Sequence, residues 1–363
     1  MSITWMCDKL CSYEGIDIDV GEVKERPPFL KDYGAIIHRY GFRRLSNKTQ
    51  VYLNPLNDFP RTRLTHSVEV EQIGRELSRY FSESMWENLS FPNDCSFNEH
   101  EFKTNFEDLV AASCLAHDIG QAPFGHKGEQ TLNSLMSQEK VDKINCFEAN
   151  KQNVRVLLGC KARKPYGVSC ALVDAVMKYK SSTFHKKSKY PGHYSFESKI
   201  IDRVVSLTCT EGVRHPVCYL MEAADDIAYI TSDLQDSLKI NLIGKEDIYN
   251  ILKDVDFPND LPDVEIKSWK ELIDYAFSTG DFDKLTSSLL KLMLKAVKSN
   301  IKHLFNNHSK GGINDLPAIM HDFFSVDNCS LNILYFGYGG IYEKIKRNGS
   351  VAKTAEMLKS PFF

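Results

Sequence analysis

Ala116-His117-Asp118-Ile119-Gly120-Gln121-Ala122-Pro123-Phe124-Gly125-His126, residues 116–126, is the stretch on which the reading of this chain turns. Adjacent His and Asp offer nitrogen and oxygen ligands to one hard or borderline metal ion. The same dipeptide also occurs where an Asp bonds its own backbone near a helix end, and Gly120 reads as a helix stop. On this stretch alone metal ligation and helix capping both stay open, and the flanking sequence has to decide between them.

Upstream, Arg61-Thr62-Arg63-Leu64-Thr65-His66-Ser67-Val68-Glu69-Val70 opens a helix in which Val70, Ile73, Leu77 and Phe81 recur at helical spacing. His66 falls in its first turn, on a different face. Downstream, Met221-Glu222-Ala223-Ala224-Asp225-Asp226-Ile227-Ala228-Tyr229-Ile230-Thr231-Ser232-Asp233 places Asp225, Tyr229 and Asp233 four residues apart along one helix stripe. Acids in so apolar a run need partners.

The chain has 363 residues, 42% of them hydrophobic, which is enough for a large core and allows one large or two modest domains. Lys+Arg 45 against Asp+Glu 48 gives a net charge of −3, so no global basic field draws it to nucleic acid or membrane and any anion site must be local. Ten cysteines stand singly, without CxxC pairs, which fits reduced thiols, with Cys114 and Cys218 as packing residues. The start lacks a basic region followed by an apolar stretch, and no later apolar run is long enough to span a bilayer, so the expected location is cytoplasmic.

Apolar residues recur every three or four positions along most of the chain, as in Ile200, Val204 and Leu207, in Leu220, Ala224, Ile227 and Ile230, and in Leu285, Leu289, Leu292, Met293 and Val297. The pattern predicts an all-α fold. Polar or proline-bearing interruptions are expected at Gly21 to Pro28, Ser82 to Asn105, Ser181 to Gly192, Asp254 to Asp263 and Asn306 to Pro317. The span from His66 to Asp225 must fold as one unit if its polar residues meet. The expected division is a core over 1–242 and a helical C-terminal extension over 243–363 packed on it, within which Phe336-Gly337-Tyr338-Gly339-Gly340 breaks the helical pattern.

The order His66, then His117-Asp118, then Asp225 resembles the HD-domain metal phosphohydrolases. Five phrases narrow the likeness: Arg43-Arg44-Leu45-Ser46-Asn47-Lys48-Thr49-Gln50-Val51, the run through His66, the run from Leu115 to Glu129, Phe147-Glu148-Ala149-Asn150, and Met221 to Ile227. Together they look like the bacterial deoxyguanosine triphosphate triphosphohydrolases over roughly Trp5 to Phe324. The resemblance implies an HD-domain helical core with additional C-terminal helices. It also implies hydrolysis of a deoxynucleoside triphosphate (dNTP), dGTP or several dNTPs, to the deoxynucleoside and intact inorganic triphosphate, within a homo-oligomer, a dimer or a hexamer.

In that reading His66, His117, Asp118 and Asp225 hold one divalent ion per subunit, with Asp226 the neighbouring alternative to Asp225. Two imidazoles and two carboxylates suit Mn²⁺, Mg²⁺, Fe²⁺, Co²⁺ or Ni²⁺ better than a thiolate-loving ion. His126 and Glu129, one helical turn apart, form the catalytic pair, the carboxylate holding the imidazole's tautomer while its other nitrogen faces substrate. Departure of a 5′-alkoxide, a strong base, requires a proton donor or comparable electrostatic help.

Triphosphate needs several cationic donors. Arg63 lies one turn before His66, and Lys178-Tyr179 and Asn150 match substrate contacts of the family. Where the family has a Lys before Pro-Gly, this chain has Tyr190 before Pro191-Gly192, so Lys189, in a basic stretch with Lys186 and Lys187, is the substitute. Gln50 and Tyr229 are expected at the sugar and Asp233 at its 3′-hydroxyl. The longer bacterial members continue past the position of Phe363, and their later helices supply part of the nucleotide pocket, including arginines without a match here.

Two other readings compete. Another HD phosphohydrolase, acting on nucleoside monophosphates or cyclic nucleotides, needs the ligands but not the Lys178 and Lys186 to Lys189 cations. A non-catalytic nucleotide or single-strand sensor would use the pocket without turnover, although the complete catalytic set and the balanced charge argue against it.

Overall fold

The computed structural model describes residues 5–12, 14–16, 26–51, 59–89, 98–139, 146–180, 191–241, 243–253, 257 and 266–308. Twelve α-helices dominate these residues: α1 Pro28–Ile37, α2 Tyr40–Arg43, α3 Arg63–Met85, α4 Glu99–Ala116, α5 Gly125–Gln138, α6 Ala149–Leu158, α7 Cys170–Val176, α8 Ser198–Leu207, α9 Pro216–Lys239, α10 Lys245–Leu252, α11 Trp269–Thr279 and α12 Asp283–His308. The all-α expectation holds. Three short strands, β1 Leu10–Ser12, β2 Gly15–Ile16 and β3 Val168–Ser169, form an antiparallel sheet of order β2-β1-β3. At two or three residues each they are too short to show alternation in the sequence.

Contacts divide the chain into two compact units, one within Met1–Thr49, Thr62–Asp225 and Ile301–Asp315, the other within Gln50–Arg61, Asp226–Asn300 and Leu316–Phe363. The core of the first is the pair α3 and α4. Val70, Ile73, Leu77 and Phe81 of α3 are buried, as are Phe102, Phe106, Leu109 and Val110 of α4. Each such side chain contributes about 1.5–3 kcal/mol when taken out of water. Phe106 meets Phe81 at 5.1 Å and stacks on Phe102 at 5.6 Å between ring centroids. Gly74 permits a close crossing, since a Cβ there would stand 2.5 Å from Cys114 Sγ. The two helices run antiparallel, so the first turn of α3 lies beside the last turn of α4.

Both helices start on reciprocal caps. Thr62 and Thr65 close one around the start of α3. Asn98 accepts from the Glu101 amide at 2.9 Å while the Glu101 carboxylate accepts from the Asn98 amide at 3.1 Å. The expected interruption from Ser82 to Asn105 is therefore narrower in the structure: α3 continues to Met85 and α4 already begins at Glu99. The Asn98-to-Glu101 spacing was the overlooked signal.

In the second unit Arg61 pairs with Asp236 of α9, and the Gln50 amide donates to the Arg61 carbonyl at 3.1 Å. This ties the Gln50 segment to the helix that carries Tyr229 and Asp233. No helix among the described residues is long and apolar enough to cross a membrane. The basic stretch Lys186, Lys187, Lys189 and Tyr190, and the Phe336 to Gly340 break, lie outside the described residues.

Candidate metal centre and active site

The antiparallel pairing of α3 and α4 brings His66, in the first turn of one, against His117, the C-cap of the other. Their rings meet edge to face with centroids 5.4 Å apart. One ligand atom each from His66, His117 and Asp118 lies within 4.8 Å of the other two. Helix α9 delivers Asp225, whose Oδ1 is 3.0 Å from His66 Nε2 and 3.4 Å from His117 Nε2. Asp225, rather than Asp226, thus faces both imidazoles.

His117 Nδ1 lies 2.6 Å from the Cys114 carbonyl. A carbonyl only accepts, so Nδ1 carries a proton and Nε2 is the ring atom turned toward the carboxylates, the one able to serve as a metal ligand. Burial opposes a charge on this imidazole, but Asp118 and then Asp225 overcome it and raise its pKa. His66, His117 and Asp118 are buried, at 1%, 3% and 6% exposure, and Asp225 is half-buried. Carboxylates and imidazoles turned toward one point fit a divalent cation. The donor set therefore satisfies the requirement for a metal ion on its own chemistry.

Cations flank the carboxylates. The Arg63 guanidinium pairs with Asp118, and Lys178 Nζ lies 3.4 Å from Asp225 Oδ2 and 3.8 Å from Glu222 Oε1. Arg214 donates to Glu222 at 2.7 Å. Burial alone would raise the Asp118 carboxyl, but Arg63 and then His117 draw it down to about 2. Burial likewise opposes ionisation of Asp225, and His117 and Lys178 overcome it, holding that carboxyl well below the usual range. Burial also disfavours the Lys178 charge, yet Asp225 and Glu222 keep it above the ordinary lysine value. Three carboxylates thus stand against three cations, a set already neutral. A divalent ion added to it leaves two positive charges for an anionic substrate.

The turn holding His117 and Asp118 is pinned by Asn153 of α6, buried at 1% exposure. Its Nδ2 donates to the His117 carbonyl, and its Oδ1 accepts from the Gly120 amide at 2.7 Å. Asn153→Ala strands both backbone groups. The expected cost is about 2–4 kcal/mol of unfolding free energy in urea titration, with divalent-ion affinity lower by roughly 10–100-fold because the ligand turn loses its outer support.

Beyond the turn, Phe124 takes a left-handed conformation, φ 65°, followed by Gly125 at φ 54°. This pair of positive φ values turns the chain into α5, and His126 follows at once. Left-handed backbone at a bulky Phe is costly and persists where surrounding structure enforces it. His126 is exposed, with Nδ1 3.5 Å from Glu129 Oε2. The expected His-Glu pair is therefore present, its imidazole open to solvent.

Of the expected substrate residues, Arg63 and Lys178 are drawn to the metal-site carboxylates. Tyr179 lies under the Arg214 guanidinium, 5.3 Å from its ring centroid. Asn150 donates to Glu148 at 2.7 Å, beside the capped start of α6. Gln50, Tyr229 and Asp233 belong to the second unit, and Lys189 lies outside the described residues. Glu222, Arg214 and Asn153 had been given no role. Glu222 stands three residues before Asp225, on the same helix face, and a carboxylate in so apolar a segment was the available signal; nothing local marks Arg214 or Asn153.

Comparison with known proteins matches residues 63–175 to the HD domain family, a span that includes His66, His117 and Asp118 and ends before Asp225. The helical fold and the His66, His117 and Asp118 cluster thus belong to a chain that carries an HD domain. A deoxyguanosinetriphosphate triphosphohydrolase-like protein of Pseudomonas aeruginosa is 32% identical over 323 residues, 81% of this chain and 67% of that protein. A probable deoxyguanosinetriphosphate triphosphohydrolase of the same species is 28% identical, over 75% of this chain and 61% of its own length. A like protein of Synechocystis is 33% identical over 60% and 56% of the two chains. The chain belongs to the deoxyguanosinetriphosphate triphosphohydrolase-like family, and matches 56–67% of the length of these three relatives.

Proposed function

We propose that the chain hydrolyses a deoxynucleoside triphosphate, dGTP or several dNTPs, to the deoxynucleoside and inorganic triphosphate, with one divalent ion held by His66, His117, Asp118 and Asp225. The observation that carries this is the neutral set of three carboxylates and three cations around two buried imidazoles, which turns cationic when the ion binds. The bound ion would supply Lewis acidity toward a phosphate oxygen and orient the attacking group.

The chain's own residues do the rest. Arg63 binds phosphate with guanidinium donors other than the Nη1 that holds Asp118. Lys178 adds a point charge. His126, in the acid/base or nucleophilic role, handles the proton that the departing 5′-oxygen needs, and Glu129 fixes the tautomer through Nδ1 so that Nε2 is the working atom. Asn150 and Tyr179 complete the phosphate-side contacts, with Lys189 in the same role. Gln50, Tyr229 and Asp233 hold the sugar, Asp233 accepting from the 3′-hydroxyl. The homo-oligomer implied by family resemblance belongs to the same reading.

The test is a panel of the four dNTPs with chelated and Mn²⁺-restored protein, following deoxynucleoside release. Turnover that appears only on restoring the ion is expected. No turnover of any dNTP with the ion present overturns the proposal.

A further inference from the structure

The first unit carries a cavity of about 360 Å³ that the metal centre does not use. None of the proposed ligands, nor His126 or Lys178, lines it. Five cations do: Arg39, Arg44, Lys48, Arg163 and Lys164. No carboxylate is among the lining residues, and no carboxylate of a described residue pairs with any of the five. In a chain of net charge −3, so one-sided a cluster is a local departure.

What holds the cations is chemistry that leaves donors free. The Arg39 guanidinium lies over the Tyr166 ring, 5.4 Å from its centroid, and donates to the Tyr166 carbonyl at 3.4 Å. Arg44 lies over Tyr40 at 5.6 Å. Lys48 Nζ donates to the Gln121 carbonyl at 2.5 Å. Stacking fixes a guanidinium plane while its N–H edge stays available, and that edge matches phosphate in a bidentate fork. Burial first, and then the nearby Arg63 and Arg44 charges, lower the Lys48 ammonium to about 8.

We propose that this cavity is an oligophosphate-binding site, separate from the metal centre, taking the phosphate chain of inorganic triphosphate or of a nucleoside triphosphate. Five cations exceed what a single carboxylate or phosphate offsets, and they match the several charges of a triphosphate chain. The volume lies toward the small end of ligand pockets. Its wall includes Ile119 to Pro123, the segment that runs from the Asp118 ligand toward His126, so an occupant rests against that turn. The inference goes beyond the proposed hydrolysis and stands whether or not that reaction is the chain's activity.

The experiment titrates the full chain, in chelator, with inorganic triphosphate by calorimetry, and maps the contact by hydrogen exchange. Protection over 39–48 and 161–167 is expected, with affinity weakened at least about tenfold in Arg44→Glu/Arg163→Glu, both exposed positions. Mn²⁺ binding should be unchanged in that variant, which checks its folding. If the double variant does not fold, Lys164→Glu and Arg163→Glu separately carry the same expectation. dGTP should compete with triphosphate for these segments and deoxyguanosine should not, because the phosphate chain is what is recognised. Unchanged triphosphate affinity in the folded variants, binding of dGTP but not of triphosphate, or protection confined to the metal-site segments would each overturn the proposal. So would a single-stranded oligonucleotide that binds these segments more tightly than triphosphate does.

Discussion

His117→Ala is expected to lose the bound divalent ion and, with it, about a thousandfold or more of dNTP hydrolysis. His117 does three things at once: Nε2 faces Asp225, Nδ1 is fixed on the Cys114 carbonyl, and the backbone carbonyl anchors the turn to Asn153. Alanine keeps the last and removes the first two. Removing it leaves Asp118 and Asp225 with one imidazole between them and without the ligand whose tautomer is set in advance. Lewis-acid stabilisation of transferring phosphoryl charge is worth several kcal/mol, and each 1.36 kcal/mol is a factor of ten in rate. Metal content by mass spectrometry of the intact protein and steady-state turnover check the two losses together. A variant that keeps a full complement of ion would remove His117 from the ligand set.

His126→Ala is expected to behave differently, retaining the ion while losing about 10²–10⁴-fold in turnover, the usual range for a positioned acid or base. Its imidazole is exposed and, among the described residues, pairs with Glu129, outside the buried cluster that holds His66, His117 and Asp118. The α5 start would survive, because the left-handed Phe124 and Gly125 precede the substituted side chain. Turnover with metal content read in the same samples separates this result from the first. Equal loss of metal would take His126 out of its catalytic role and make it part of the ion's support.

What the sequence showed and what it hid follow from the range of the contacts. Helices α3 and α9 were legible because Val70, Ile73, Leu77 and Phe81, and Leu220, Ala224, Ile227 and Ile230, repeat locally. The order of the presumed ligands was legible as a family pattern, although His66 and Asp225 stand 159 residues apart. Asn153 carries no such mark: its bond to the His117 carbonyl spans 36 residues and depends on how α6 meets the α4 turn. The grip of Arg63 on Asp118 was equally hidden, since sequence spacing placed Arg63 near His66 and suggested phosphate alone. The cations of the cavity come from two basic stretches, around 39–48 and 163–164, and nothing local in either marks their meeting in one cavity. Short strands escaped for a simpler reason, being below the length at which a period of two can be counted.

Hydrolysis of dGTP in ¹⁸O-labelled water, with products separated and weighed by mass spectrometry, tests the central claim most directly. Attack at the α-phosphate with departure of the 5′-oxygen predicts unlabelled deoxyguanosine and inorganic triphosphate carrying one ¹⁸O, formed only with the divalent ion present. Deoxyguanosine monophosphate with pyrophosphate, or label in the deoxyguanosine, would contradict it.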